Sequence, residues 1–113
     1  MQQSKRKVLK EKGWKLGTAA EFLGLSDEEV AVIELKLALG NALKTRRQKK
    51  RLTQTAFAKL ISSSQSRVAK MEAGDPSVSL DLLVKSMLTL GASRREVANV
   101  IGRGTKSSQA HHR

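Results

Sequence analysis

The longest regular pattern in the sequence is an apolar repeat with the period of an α-helix, from Asp27 to Gln48. Ser26 and Glu29 have the spacing of a capping box, so the helix is predicted to begin at Asp27. At 100° a residue, the apolar side chains form two stripes. The first stripe is Val32, Leu35, Leu39, Ala42 and Leu43, and the second is Val30, Ile33 and Leu37. A small domain needs one such stripe, so the second should pack under an N-terminal segment or face a partner.

Two short helices are predicted next, separated by a tight turn. Thr53 is a suitable N-cap for the first, whose apolar face is expected to be Ala56, Phe57, Leu60 and Ile61. Ser64 is a suitable N-cap for the second, Gln65 to Glu72. Val68 and Met71 should face inward there, and Gly74 and Pro76 should end the helix.

Two more helices complete the pattern. Ser79 opens one that closes at Gly91, and Ser93 with Glu96 forms a capping box for another that runs through Ile101. No segment alternates with the period of a β-strand. The sequence therefore predicts an all-α fold of five helices.

The charge of the chain identifies the class of partner. Lys and Arg number 22 against 10 Asp and Glu, a net charge of +12, which must attract a polyanion. The chain has only three aromatic residues on which single-stranded bases could stack, so duplex nucleic acid is favoured over RNA. No apolar stretch is long enough to span a bilayer, no secretory signal is recognisable, and there is no cysteine. We expect a cytoplasmic, nucleoid-associated protein.

The outward face of the second short helix is where base-reading chemistry is expected. A helix-turn-helix presents such a face to the major groove, where base edges form hydrogen bonds with amide and cationic side chains. The expected base-reading residues are Gln65, Ser66, Arg67 and Lys70. The expected phosphate-binding residues are Arg47, in the basic run 44–51, together with Thr53, Gln54 and Ser64 at helix N-termini.

Residues 52–74 resemble the Xre/Cro-type helix-turn-helix of phage repressors and bacterial regulators, through the Thr53-Gln54 start, the Gln65-Ser66 face and the Glu72-Ala73-Gly74 end. The resemblance extends over about Leu39 to Ile101. It implies an ion pair between Arg47 and Glu72, backbone contacts from Gln54 and Arg47, and base contacts from Gln65, Ser66 and Lys70. Ser62 departs from the family, since that turn position is usually glycine, and Ser63 stands where an apolar residue is usual.

The segment 13–26 resembles the leader of HigA-type antitoxins, which are encoded beside a RelE-like ribonuclease. This resemblance implies an autoregulating antitoxin of a HigBA-like operon, acting as a homodimer on a DNA operator. The expected partner surface is Trp14, Val30, Ile33 and Leu37. A stand-alone phage-type repressor and a protein-interaction module that binds no DNA remain alternatives.

Three regions are predicted along the chain: a basic arm and leader with a short helix over 1–25, the helix-turn-helix domain over 26–101, and a disordered tail over 102–113. Neither a nucleotide-binding loop nor a cluster of catalytic or metal-ligating residues is recognisable. His111 and His112 are adjacent in the tail, a spacing that does not build a metal site. No cofactor and no enzymatic activity are expected.

Overall fold

The computed structural model describes residues 21–103. Residues 21–23 are helical and are followed by five helices, while no strand occurs in the described part. The helices are α1 (Asp27–Lys49), α2 (Gln54–Leu60), α3 (Gln65–Glu72), α4 (Leu80–Thr89) and α5 (Arg94–Arg103). The predicted all-α fold of five helices is confirmed. Trp14, the basic arm and residues 104–113 lie outside the described residues.

Every predicted N-cap side chain accepts a backbone N–H of its helix. Thr53, Ser64 and Ser79 each accept from the residue three positions later, at 3.0–3.1 Å. Ser26 with Glu29 and Ser93 with Glu96 form full capping boxes, in which each side chain accepts the other residue's backbone N–H. These bonds satisfy N–H groups that a helix leaves without a partner, so the helix starts could be predicted from local sequence.

Four of the helices end in the same turn, the Schellman motif, in which a residue with positive φ follows the last helical turn. That residue is Gly74 after α3 and Gly91 after α4, and glycine adopts positive φ without strain. It is Arg51 after α1, with a φ of 60°, and Ser62 after α2, with a φ of 54°. A residue other than glycine in this backbone conformation costs about 1–2 kcal/mol, so the turns at Arg51 and Ser62 are strained.

The chain divides into two units, residues 1–32 and 33–113, and the division falls inside α1. In the first, the described part contains the helical residues 21–23, a turn at Gly24 and the start of α1. The second unit contains the core. Its largest fully buried side chains come from four helices and their loops: Leu39, Leu43, Phe57, Val68, Met71, Val78, Leu83 and Leu90.

Two apolar side chains that were assigned to buried faces are exposed. Leu60 is 57% exposed, because the buried face of α2 is centred on Phe57 and Ala58. At 100° a residue, Leu60 lies on the opposite side of Phe57 from Ala58. Val32, placed in the first stripe of α1, is 39% exposed, and the fully buried members of that stripe are Leu39 and Leu43. The assignment of Leu60 and Val32 to the core was therefore wrong.

Helix α1 holds the end of α3 through closely spaced contacts. Gly40 is buried so tightly that a Cβ there would lie 2.4 Å from the carbonyl oxygen of Met71. Leu37, 38% exposed, packs against the backbone at Gly74, where an added Cβ would meet it at 2.9 Å. Lys36 Nζ donates to the carbonyl oxygen of Pro76 at 2.8 Å. The second stripe of α1 thus contributes to the domain itself at Leu37.

Candidate nucleic-acid interface

Helices α2 and α3 form a helix-turn-helix, and the turn accounts for the unusual serines of the sequence. Ser62 takes the left-handed conformation at the position where the family usually has glycine. The N–H of Ser63 donates to the carbonyl oxygen of Ala58 at 2.8 Å, and that of Ser62 to Lys59 at 3.2 Å. The turn therefore has the hydrogen bonds of a glycine-containing Schellman motif while carrying a serine.

The expected base-reading side chains share the exposed face of α3. Gln65, Ser66, Arg67 and Lys70 are all exposed. Val68 and Met71, on the opposite face, are fully buried among the core residues and fix the rotation of the helix. Helix α3 therefore offers solvent an amide, a hydroxyl and two cations, which is the donor set that the major groove requires.

Gln65 is tied to the start of the preceding helix. Its Nε2 donates to Oε1 of Gln54 at 2.6 Å, and Gln54 Nε2 donates in turn to Oε1 of Glu72 at 3.0 Å. The three side chains come from the first residue of α2 and from both ends of α3. These hydrogen bonds join the two helices of the motif, from the exposed Gln65 to the largely buried Glu72.

The ion pair between Arg47 and Glu72 lies next to these hydrogen bonds. It confirms the pairing that the family resemblance implied. Arg47 Nε donates to Glu72 Oε2 at 2.5 Å and Nη2 donates to Oε1 at 3.1 Å. Arg47 Nη1 donates to the carbonyl oxygen of Leu52 at 2.7 Å. Arg47 is only 9% exposed, so its charge is compensated within the domain. A bidentate pair of this kind fixes both side chains in geometry as well as in charge.

The carboxylate of Glu72 determines which way the two amides point. An ionised carboxylate only accepts hydrogen bonds, so Gln54 must turn its NH₂ group towards Glu72 and its oxygen away. That oxygen then accepts from Gln65, which leaves Gln65 with its own oxygen and one N–H uncommitted. One acceptor and one donor are what a bidentate contact to adenine needs.

The structure places the expected phosphate-binding residues in two environments. Thr53 and Ser64 are exposed N-caps whose oxygens accept from their own helices, so each hydroxyl keeps its hydrogen to donate. Gln54 is half-buried beside them. Arg47 is buried under the site, and Arg46, from the same basic run, pairs with Glu96 at 3.1 Å.

Sequence reasoning missed the bond from Gln54 to Glu72 and the one from Gln54 to Gln65, because each joins residues more than ten positions apart. It also missed Gly40. A glycine inside an otherwise favourable helix was the only signal available, and it indicates close packing without saying against what.

Comparisons with known proteins address the same region. A family model described as a helix-turn-helix domain matches residues 38–104, more than half of the 113 residues. Neither the curated proteins nor the solved structures gave a match. Among the described residues, no helix is both long enough and apolar enough to cross a bilayer. The matched residues contain α2, the strained turn at Ser62 and the exposed polar face of α3, and the chain therefore belongs to the helix-turn-helix domain family, a class of DNA-binding domains.

Proposed function

We propose that the protein is a transcriptional repressor that binds a specific duplex operator as a homodimer and reads it with α3 in the major groove. The observation that carries the proposal is the hydrogen bond from Gln65 to Gln54, which holds an amide on the exposed face of α3 with one donor and one acceptor free. Gln65 reads adenine, Ser66, Arg67 and Lys70 contact neighbouring base edges, and Thr53, Gln54 and Ser64 contact phosphates.

Arg47 acts in this proposal mainly through its neighbours. Three of its N–H groups donate to Glu72 and Leu52, so at most two remain for a phosphate. Its charge holds Glu72, Glu72 orients Gln54, and Gln54 positions Gln65. Arg47 is therefore a positioning residue first and a backbone contact second.

The test begins with selection of a preferred duplex from a random library, followed by binding titrations against that duplex and a scrambled one. Gln65→Ala should weaken binding to the selected duplex by about 1–3 kcal/mol and leave the scrambled duplex nearly unchanged. Gln54→Ala should weaken both, because it removes a phosphate contact, and should weaken the selected duplex more, because it also releases the amide of Gln65. Equal losses on both duplexes for Gln65→Ala would contradict base reading. A wild-type affinity that hardly falls with added salt would exclude DNA binding and favour the protein-interaction alternative.

The finer role that we propose is that of an antitoxin that neutralises a RelE-like toxin and represses its own operon. It is supported by the leader resemblance of residues 13–26 and by the half-buried Val30 and Ile33 on α1. Trp14 belongs to the same proposed surface. Leu37 contributes less to it than the stripe suggested, since it packs against Gly74.

The antitoxin role is tested by co-expression with the product of the neighbouring gene. Ile33→Glu should release toxicity while operator affinity, measured at protein concentrations at which the homodimer is complete, stays within a few-fold, because α3 lies on a separate element. Ala31→Glu is the matched control, since Ala31 is exposed on the same helix. If no small RelE-like gene adjoins, or if the wild-type protein does not protect against its product, the protein is the stand-alone repressor. If both variants remain protective, Ile33 is not part of the toxin-binding surface.

A further inference from the structure

A groove of about 1010 Å³ runs between α1 and α5 in the unit 33–113. Ala38 and Ala42 of α1, Met87 of α4 and Val100 of α5 give it apolar walls and floor. It is lined by none of the residues that form the reading face of α3. The groove is therefore a second surface, distinct from the candidate DNA interface.

The rim of the groove is strongly cationic. Arg46, Lys49, Lys50 and Arg103 line it together with a single carboxylate, Glu96. Arg46 is already paired with Glu96 at 3.1 Å, and the other three cations form no ion pair within residues 21–103. A ligand that fits must bring negative charge to the rim and apolar side chains to the floor.

The chain itself contains a segment with that chemistry. Residues 21–35 hold five of the ten acidic residues of the protein, no Lys or Arg, and several apolar residues between the acids. The N-terminal arm and the C-terminal tail carry net positive charge, so the rim would repel them. Among the stretches of this chain that contain no Lys or Arg, 21–35 holds the most acidic residues, and it is the segment most complementary to the groove.

The acidic segment cannot reach the groove of its own copy. Residues 27–35 belong to α1, whose later turns form one wall of the groove. The wall of the groove begins at Leu37, two residues after the segment ends, and an α-helix cannot fold back along its own later turns. The segment that occupies the groove must come from a second copy.

We propose that the α1–α5 groove of one copy receives the acidic segment 21–35 of another, and that two such contacts hold the homodimer together. This inference rests on the homodimer of the proposed function and assigns its interface. Arg46 is held by Glu96 at the wall, while Lys49, Lys50 and Arg103 face the acids of the incoming segment. A two-fold dimer repeats each contact, because the same patches meet on both sides.

The experiment measures the dimer dissociation constant by sedimentation at low ionic strength, without DNA. Lys49→Glu and Glu28→Lys should each raise it about tenfold or more, because each replaces attraction by repulsion at both contacts. The matched controls are Lys85→Glu and Asp81→Lys, which make the same charge changes on α4. Asp81, like Glu28, is an acid in the first turn of its helix, so it also controls for loss of the favourable helix-end charge. Both controls should leave the dissociation constant within about twofold.

The decisive arm combines Lys49→Glu and Glu28→Lys in one chain, which should bring the dissociation constant back to within a few-fold of the wild-type value. The proposal is overturned if the wild-type protein is monomeric, if neither single variant weakens the dimer, or if the combined variant gains nothing. Because no DNA is present, failure of the proposed DNA reading would leave this measurement unaffected.

Discussion

Replacing Gly40 by alanine tests how closely α1 approaches the end of α3. In an unobstructed helix interior this change stabilises a protein by about 1 kcal/mol. Here the new Cβ would lie 2.4 Å from the carbonyl oxygen of Met71, 3.0 Å from that of Glu72 and 3.1 Å from the backbone nitrogen of Gly74. The first distance is about 1 Å inside ordinary contact.

All three atoms belong to backbone that ends α3, so no side chain can rotate away to relieve the overlap. Overpacking of a core costs about 1–3 kcal/mol, and a rigid backbone obstacle lies at the upper end of that range or beyond it. After the gain in helix propensity is subtracted, we expect Gly40→Ala to lower the free energy of unfolding by about 2 kcal/mol. For a domain of this size the melting temperature should fall by roughly 10 °C.

The matched control is Gly102→Ala. Gly102 also lies in a helix, α5, but a Cβ there would have no neighbour within 4 Å. Thermal and urea unfolding followed by circular dichroism should show Gly102→Ala unchanged or slightly stabilised and Gly40→Ala destabilised. If both variants gain stability alike, the close approach of α1 to Met71 is refuted.

Three further outcomes are expected. Ser62→Gly should raise the free energy of unfolding in urea by about 0.5–1 kcal/mol, since relief of left-handed strain exceeds the added chain entropy; an unchanged or lower free energy of unfolding would contradict a strained turn. Arg47→Met should cost about 3–5 kcal/mol by leaving Glu72 buried without its partner, and adding Glu72→Leu should recover most of that loss; simple addition of the two single losses would rule the coupling out. The pKa of Glu96 is lowered from 4.5, first by the backbone N–H of its capping box and then by Arg46. Arg46→Gln should raise this pKa part of the way to 4.5 in an NMR titration, and the stabilisation from Arg46 should disappear as pH falls through the pKa of Glu96, because a lowered carboxyl pKa stabilises the folded state only above it; a pKa that stays put would show that the ion pair does not form in solution.

The parts of the fold that could be predicted are those encoded within a few residues. Ser64, for example, caps α3 by accepting a hydrogen bond from the backbone N–H of Arg67, and the two residues lie only three positions apart in the sequence. Leu60 shows the limit of such reasoning. Helical periodicity placed it near Phe57, but which side of Phe57 faces the core depends on where the other helices lie.

The candidate site divides in the same way. The exposed face of α3 follows from period alone, because Val68 and Met71 must point inward, which leaves the polar Gln65, Ser66, Arg67 and Lys70 exposed. The contact of Gly40 with Met71 and the ion pair of Arg46 with Glu96 join distant parts of the chain. No local pattern specifies such a pair, and only the packed helices bring its members together.

The bond between Gln65 and Gln54 has a consequence for altering specificity. Under the proposed function, residue 65 cannot be replaced on its own to change the base that is read. The orientation of its amide is set by Gln54, which is in turn oriented by the carboxylate of Glu72. A carboxylate at position 65 would be repelled by the oxygen of Gln54, whereas a cationic side chain there would be attracted to it. Randomised libraries should therefore vary positions 54 and 65 together, and natural variants with a new residue at 65 are expected to carry a compensating change at 54.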